Sequence, residues 1–374
     1  MPHTICIGSG RKARRETRLR DGEMTIFAPR TPSVPDRMLI NALPSAQKGR
    51  VLTGLATEPL IAMACKRLQP DEAVTYFHLD AFYTDKARET LESNELSDVE
   101  IVLAPDLPEG PFDLVIFSFK QTSEWQLAKD ILEQTFCGLA PGGKLLVATD
   151  NARDSKLAQE LQRVFGGVKL EEKNRCGRLY SCRRKGEPKF KSRDYRCTLQ
   201  TRLQDKEFEF QTRAGVFSHA KFDEGARTLL DVAEFSTEDS LLDLGCGNGS
   251  VGVIMAAQMS GKVTLLDSNA RAVALTKENL SLNNITNAEV ILSATVDTGD
   301  ARFDRVLANP PYFSNYSISE LFIRRSYELL NPSGTLQLVT KSRAPHVEMF
   351  EKIFGNAESI SRRGYSVVKG IKDP

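Results

Sequence analysis

The sequence predicts an α/β protein built from two tandem copies of one unit, each a mostly parallel sheet with crossover helices. Three observations predict it. Phe303-Asp304-Arg305-Val306-Leu307-Ala308 resembles Phe112-Asp113-Leu114-Val115-Ile116-Phe117, and Leu330-Asn331-Pro332-Ser333-Gly334-Thr335 resembles Leu139-Ala140-Pro141-Gly142-Gly143-Lys144, both pairs 191 residues apart. Leu241-Leu242-Asp243 pairs with Val51-Leu52-Thr53 at 190. Offsets that barely drift mark a duplication. Within each copy, apolar β-runs alternate with helical stretches, the pattern of parallel strands joined by helices. The third observation is length: 374 residues exceed twice the commonest domain size.

Taken in order, residues 1–44 read as a basic N-terminal extension containing Arg11-Lys12-Ala13-Arg14-Arg15. Residues 45–185 form the first copy, with strands expected near 50–54, 74–79, 113–118 and 144–149. Residues 186–204 are a linker and the start of a hairpin. The run Arg183 to Arg193 is basic and broken by Gly186 and Pro188, as linkers are. Two alternating segments, Cys197 to Leu203 and Glu207 to Gln211, split by Asp205-Lys206, read as a β-hairpin. Residues 205–374 form the second copy. Its strands are expected near 240–244, 263–267, 289–292, 304–308 and 335–340. Its helices are expected over 222–234, 250–259, 270–283, 317–330 and 345–353.

Hydrophobic content of 41% and charged content of 26% are those of an ordinary globular chain. No run approaches eighteen apolar residues, and no apolar segment follows the basic N-terminus, so neither a membrane span nor a secretory signal is expected. The expected location is cytoplasmic. Seven cysteines, an odd number without a C-x-x-C pair, argue against a disulfide framework and a zinc site. His78, His219 and His346 have no ligand spacing, and no metal is assigned.

Leu241-Leu242-Asp243-Leu244-Gly245-Cys246-Gly247-Asn248-Gly249-Ser250 runs from an apolar strand through a glycine turn into a helix. Glycines let the backbone turn sharply and let a ligand approach closely. The acid before the first glycine distinguishes D-x-G-x-G-x-G from the dinucleotide pattern. Asp243 could attract the cationic end of a methionine-like moiety. Some twenty residues on, Val263-Thr264-Leu265-Leu266 ends in Asp267, placed to bond ribose hydroxyls. A dinucleotide remains the alternative occupant.

Asn309-Pro310-Pro311-Tyr312 follows an apolar strand, at the sheet edge where α/β folds hold ligands. The two prolines fix φ and remove two donors, leaving a rigid loop with outward carbonyls. An aromatic amino group is a poor nucleophile because its lone pair is delocalised. If the Asn309 side-chain oxygen and the Pro310 carbonyl accept its hydrogens, the nitrogen can pyramidalise without a strong base. Tyr312 offers a flat face for a base. The bland alternative is a proline-rich turn closing a strand.

A third segment, Gly215-Val216-Phe217-Ser218 followed by Asp223-Glu224-Gly225-Ala226-Arg227-Thr228-Leu229-Leu230, precedes the glycine turn. Together these residues resemble class I S-adenosylmethionine-dependent methyltransferases. More narrowly, the chain is similar to the bacterial ribosomal-RNA guanine-N2 methyltransferases that carry two tandem Rossmann-like copies of the fold. The resemblance runs from about residue 45 onward. It implies a degenerate N-terminal copy, a catalytic C-terminal copy, S-adenosylmethionine as cofactor, and ribosomal RNA or a ribosomal particle as partner. By it, Asp243, Gly245 and Gly247 contact the methionine part and Asp267 the ribose. Ser293 and Ala294 flank the adenine. Asn309, Pro310, Pro311 and Tyr312 hold the target amino group, and Phe217, Ser218 and Phe313 border the target. The family commonly has Phe then His where this chain has Tyr312 then Phe313. That departure leaves an adenine N6 or a protein glutamine amide open as target, beside a non-catalytic RNA-binding assembly factor.

The first copy has Thr53-Gly54-Leu55-Ala56-Thr57 at the glycine turn and Ser118-Phe119-Lys120-Gln121 at the N-P-P-Y loop. Asp80 reads as a surviving ribose acid. One such contact makes no site, so this half is expected to bind no cofactor and to support folding or grip RNA. Arg11 to Arg20, Arg183 to Arg193, Arg324-Arg325 and Arg362-Arg363 are basic clusters that could meet phosphate or simply be solvated.

Overall fold

Two seven-stranded sheets with the same strand order organise the chain. The computed structural model describes residues 32–43, 49–203, 206–311 and 316–374, with the backbone of 4–8, 14–18 and 24–25. The chain divides into two units after Tyr195.

The first unit opens with strands β1 (Thr4–Gly8), β2 (Arg14–Arg18) and β3 (Met24–Thr25) in one small sheet, then helix α1 (Val34–Asn41). There follow β4 (Val51–Gly54), α2 (Leu60–Leu68), β5 (Val74–His78), α3 (Ala81–Glu92) and β6 (Glu100–Leu103). Then come β7 (Phe112–Phe119), α4 (Trp125–Gly138), β8 (Leu139–Thr149), α5 (Lys156–Phe165), β9 (Lys169–Lys173) and β10 (Arg178–Arg183). The sheet order is β6-β5-β4-β7-β8-β10-β9. The expected start at residue 45 leaves out α1, whose Met38, Leu39 and Ile40 are buried in this unit's core.

The second unit begins with the hairpin β11 (Arg196–Leu203) and β12 (Lys206–Arg213), then α6 (Glu224–Val232). Asp205 of the expected turn lies outside the described residues. β13 (Leu241–Leu244), α7 (Ser250–Ala256), β14 (Val263–Asp267), α8 (Ala270–Leu282), β15 (Ala288–Leu292) and β16 (Phe303–Ala308) follow. The unit closes with α9 (Ser317–Leu329), β17 (Leu330–Thr340), α10 (Arg343–Phe354), β18 (Glu358–Arg362) and β19 (Tyr365–Ile371). Its sheet order, β15-β14-β13-β16-β17-β19-β18, repeats that of the first unit. The α/β class with duplicated, mostly parallel sheets stands as expected.

The repeat reaches into detail. β7 against β8 shifts register between Phe112 and Leu114, and β16 against β17 shifts between Phe303 and Arg305, again 191 apart. Asp113 accepts the Arg50 N–H and Asp304 the Ser240 N–H, each at 2.9 Å. Helices α5 and α10 both end on a left-handed glycine, Gly166 and Gly355, which can take positive φ without a Cβ clash.

Both faces of each sheet are covered, so the central strands are buried throughout. In β13, Leu241 packs on one face and Leu242 with Leu244 on the other. Period two therefore sends Asp243 to the Leu241 face, under α7.

Candidate active site

β13 pairs in parallel with β14 on one side and β16 on the other, with Leu244 opposite both Leu266 and Ala308. The next residue on each strand end is Gly245, Asp267 and Asn309. Adjacent strands lie ~4.8 Å apart, so Asp267 and Asn309 flank the glycine turn about 10 Å from one another at the carboxyl edge.

The glycine turn is pinned from both sides. The N–H groups of Gly245 and Cys246 donate to the Leu266 carbonyl at 2.8 and 3.0 Å. Gly245 has φ +77°, and a Cβ there would stand 3.0 Å from the Phe322 ring, so only glycine fits. Gly247, at φ +59°, would point a Cβ into open space. Its N–H donates to Asp267 Oδ2 at 2.8 Å. Beneath the turn, Thr276 Oγ1 donates to the Gly247 carbonyl and Asn279 Nδ2 to that of Asn248, at 2.9 and 2.8 Å.

Asp243 is buried, with 2% of its surface exposed, and its Oδ2 accepts the Gly252 N–H at 2.7 Å. Burial is the main reason its carboxyl rises from 3.8 to about 7; the Gly252 N–H opposes the rise and the Asp267 charge adds to it. Asp243 thus holds the first turn of α7 to the strand end, a role its position in the sequence did not disclose.

Asp267 is oriented by two backbone donors, Gly247 on Oδ2 and Asn269 on Oδ1, each at 2.8 Å. The main chain of Ser293 donates to the Asp267 carbonyl at 3.0 Å, and Ser293 Oγ accepts from the Asp297 N–H at 2.9 Å. Ser293 and the half-buried Ala294 therefore border the same strand end. The Gly215–Ser218 segment is tied to that corner as well. Asn269 Nδ2 donates to the Gly215 carbonyl at 2.9 Å, and the buried Arg271 donates to that of Ala214 at 2.6 Å. Phe217 is 51% exposed, an aromatic ring in solvent beside a held loop, and Ser218 turns the chain at φ +55°.

On the other flank, Asn309 Nδ2 donates to Asp223 Oδ2 at 2.9 Å. Asp223 caps α6, the same oxygen accepting the Ala226 N–H at 2.8 Å. Pro310 is buried and Pro311 half-buried, while Tyr312 and Phe313 lie outside the described residues. The fold brings Asp243, Gly245, Gly247, Asp267, Ser293 and Ala294 to one end of β13–β15, with Asn309 across the middle strand.

The Methyltransferase small domain family matches the chain over residues 22–180 and again over 207–369. The chain belongs to that family. It is a methyltransferase carrying the small domain twice, as the sequence led one to expect. Ribosomal RNA small subunit methyltransferase C of Haemophilus influenzae is 26% identical over 276 residues, 71% of this chain and 81% of that protein. The protein YbxB of Bacillus subtilis is 33% identical over 184 residues, 47% of this chain and 91% of that protein. Among solved structures, the T. thermophilus 16S rRNA N2 methyltransferase RsmC, in complex with AdoMet and guanosine, superposes with a TM-score of 0.77. At 20% identity over 96% of this chain and 95% of that one, it shows the shared two-unit fold.

Several partnerships escaped the sequence reading. Asn269 and Asp223 carry recognisable helix-capping signals, but their second partners, Gly215 and Asn309, lie 54 and 86 residues away. Thr276 and Asn279 read as ordinary helix positions. One reading is corrected. By sheet register His78, not Asp80, stands where Asp267 stands. Asp80 caps α3, accepting the Phe82 N–H, as Asn269 caps α8.

The basic clusters are partly consumed internally. Arg362 and Arg363 both reach Asp231, Arg324 reaches Glu320, and Arg325 reaches Glu328. In the linker, Arg184 donates to the Cys137 carbonyl and Arg193 pairs with Glu160, whereas Lys185, Lys189 and Lys191 are exposed. The Arg11–Arg20 cluster falls on side chains outside the described residues. Among the described residues no helix is long and apolar enough to cross a membrane, and no group of three His, Cys, Asp or Glu could hold a metal.

Proposed function

We propose that the second unit transfers a methyl group from S-adenosylmethionine to the exocyclic N2 of a guanine in ribosomal RNA. One observation carries this reading: Asn309 and Asp267 flank a glycine turn whose middle residue, Gly247, opens onto unfilled space. The name of the Haemophilus influenzae relative supports the RNA class, and the solved relative's guanosine supports the base.

When bound, S-adenosylmethionine supplies a methyl group on a sulfonium. The residues present suit it. Asp267, fixed by two N–H donors, takes the ribose hydroxyls, Ser293 and Ala294 flank the adenine, and Asp243, Gly245 and Gly247 surround the methionine end. Phe217, Ser218, Tyr312 and Phe313 hold the flipped base by stacking and edge contacts. Asn309 Oδ1 and the Pro310 carbonyl accept the two amino hydrogens, so the nitrogen lone pair is released from the ring toward the methyl donor. Exposed Lys185, Lys189 and Lys191 meet phosphate.

The test is incubation of the purified protein with S-adenosylmethionine and ribosomal RNA, then mass spectrometry of the digested nucleosides. N2-methylguanosine is expected. N6-methyladenosine alone, or methylation only of a glutamine amide in ribosomal protein, would overturn the reading.

A further inference from the structure

We propose that Asp223 is a positioning residue that fixes which edge of the Asn309 amide faces the substrate; this rests on the proposed role of Asn309 as acceptor. An asparagine amide presents a donor on one edge and an acceptor on the other, and the two are nearly equal in size. Packing alone does not choose between them. Only the acceptor edge serves methylation of an amino group, because the donor edge would point N–H at N–H.

Asp223 makes the choice by presenting a fixed acceptor oxygen. An ionised carboxylate only accepts, so the Asn309 atom facing it must be Nδ2, and the bond is 2.9 Å. The Oδ1 edge is thereby turned the opposite way. The carboxylate is itself held still. Its Oδ2 takes the Ala226 N–H at 2.8 Å, and α6 is anchored by buried Ala226, Thr228 and Leu229.

The first unit separates capping from positioning. By topology α1 corresponds to α6, and its cap is Ser33, 190 residues before Asp223, which accepts the Asp36 N–H. Where the second unit has Asn309, the first has Ser118. There a serine, with Asp36 accepting its N–H in a capping box, starts the helix without a carboxylate at the cap itself; the cap carboxylate accompanies the asparagine. A serine cap also ranks with aspartate energetically.

Steady-state kinetics of Asp223→Ser on ribosomal RNA, with S-adenosylmethionine affinity and melting temperature, test this. The wild type's N2-methylguanosine yield tests the parent reading separately. D223S is expected to lower kcat on the order of 10²-fold, as loss of one preorganised contact does, with melting and cofactor affinity near wild type. D223N keeps an acceptor oxygen and the cap, and is expected to recover most of kcat. A D223S kcat within about two-fold of wild type overturns the proposal, as does an equal loss of cofactor affinity. Should D223S not fold, the exchange decides: Asn309→Asp opposes two carboxylates, and D223N/N309D restores donor to acceptor. Turnover regained over N309D supports the proposal; none regained overturns it.

Discussion

At the ends of two equivalent strands the units diverge. β14 ends in Asp267, whose carboxylate receives the Gly247 N–H, while β5 ends in His78, packed against the Tyr83 ring at 4.6 Å. Next to them Asp243 is matched by Thr53, and Gly252, two residues into α7, by Ala62 in α2. These last two positions meet in space, the Gly252 N–H donating to Asp243 Oδ2. A Cβ on Gly252 would overlap Leu265 and come within 2.9 Å of Asp243 Oδ2. Leu265 is the nearer obstacle to an alanine there, and the buried acid the second. Tyr76 replaces Leu265, and its hydroxyl donates to the Ala56 carbonyl at 2.6 Å, locking the former turn. The backbone keeps a trace of its origin: Leu55, in the place of Gly245, still has φ +57°, a conformation costing a non-glycine residue roughly 1–2 kcal/mol. A sheet core tolerates many apolar replacements, so architecture outlives chemistry that depends on a few edge residues.

The largest effect is expected at Asn309, whose counterpart is Ser118: Asn309→Ala should lower turnover by on the order of 10²–10³-fold. Its cofactor affinity by calorimetry should stay near wild type, and unchanged turnover would remove Asn309 from the chemistry. Next, Gly252→Ala should destabilise the fold by roughly 1–3 kcal/mol through overpacking. Adding Asp243→Thr, as in the first unit, should return only part of the lost melting temperature, because Leu265 still meets the new Cβ, while abolishing cofactor binding. No recovery in the double variant would show that the two positions are not coupled.

The smallest effect is a pair of opposed pH slopes. Asp243, raised from 3.8 to about 7, makes the fold bind the proton more tightly than the unfolded chain, so its stabilisation fades as pH rises through that window. His78 is lowered from 6.5 to about 4, mainly by burial. Its stabilisation fades as pH falls through that range. Melting against pH should show Asp243→Asn gaining on wild type as pH rises from 4 to 7. His78→Gln should gain as pH falls from 6.5 to 4. Parallel slopes would contradict the assignment.

Much of this was legible in the sequence, for physical reasons. Central strands such as β13 and β16 are apolar runs bounded by turn residues, and both the duplication and the glycine turn follow from spacing. The edge elements were not legible. β9, Lys169–Lys173, and most of β18, Glu358–Arg362, are exposed, so neither carries an alternating pattern. α1 reads as part of a basic extension because the charges around it hide the buried Pro35, Met38, Leu39 and Ile40 of an eight-residue helix. At the proposed site, residue types and spacing point to Asp267 and Asn309. Their orientation depends on Asn269 and Asp223, whose partners only the fold brings near.

We infer that only the second of the two copies carries a methyl-donor site. Titration calorimetry of the intact chain with S-adenosylmethionine tests it most directly. One site per chain is expected, weakened at least about ten-fold by Asp267→Ala, the loss of one charge-assisted contact, and unaffected by His78→Ala. Two sites per chain, or one that survives Asp267→Ala and is lost with His78→Ala, would contradict it.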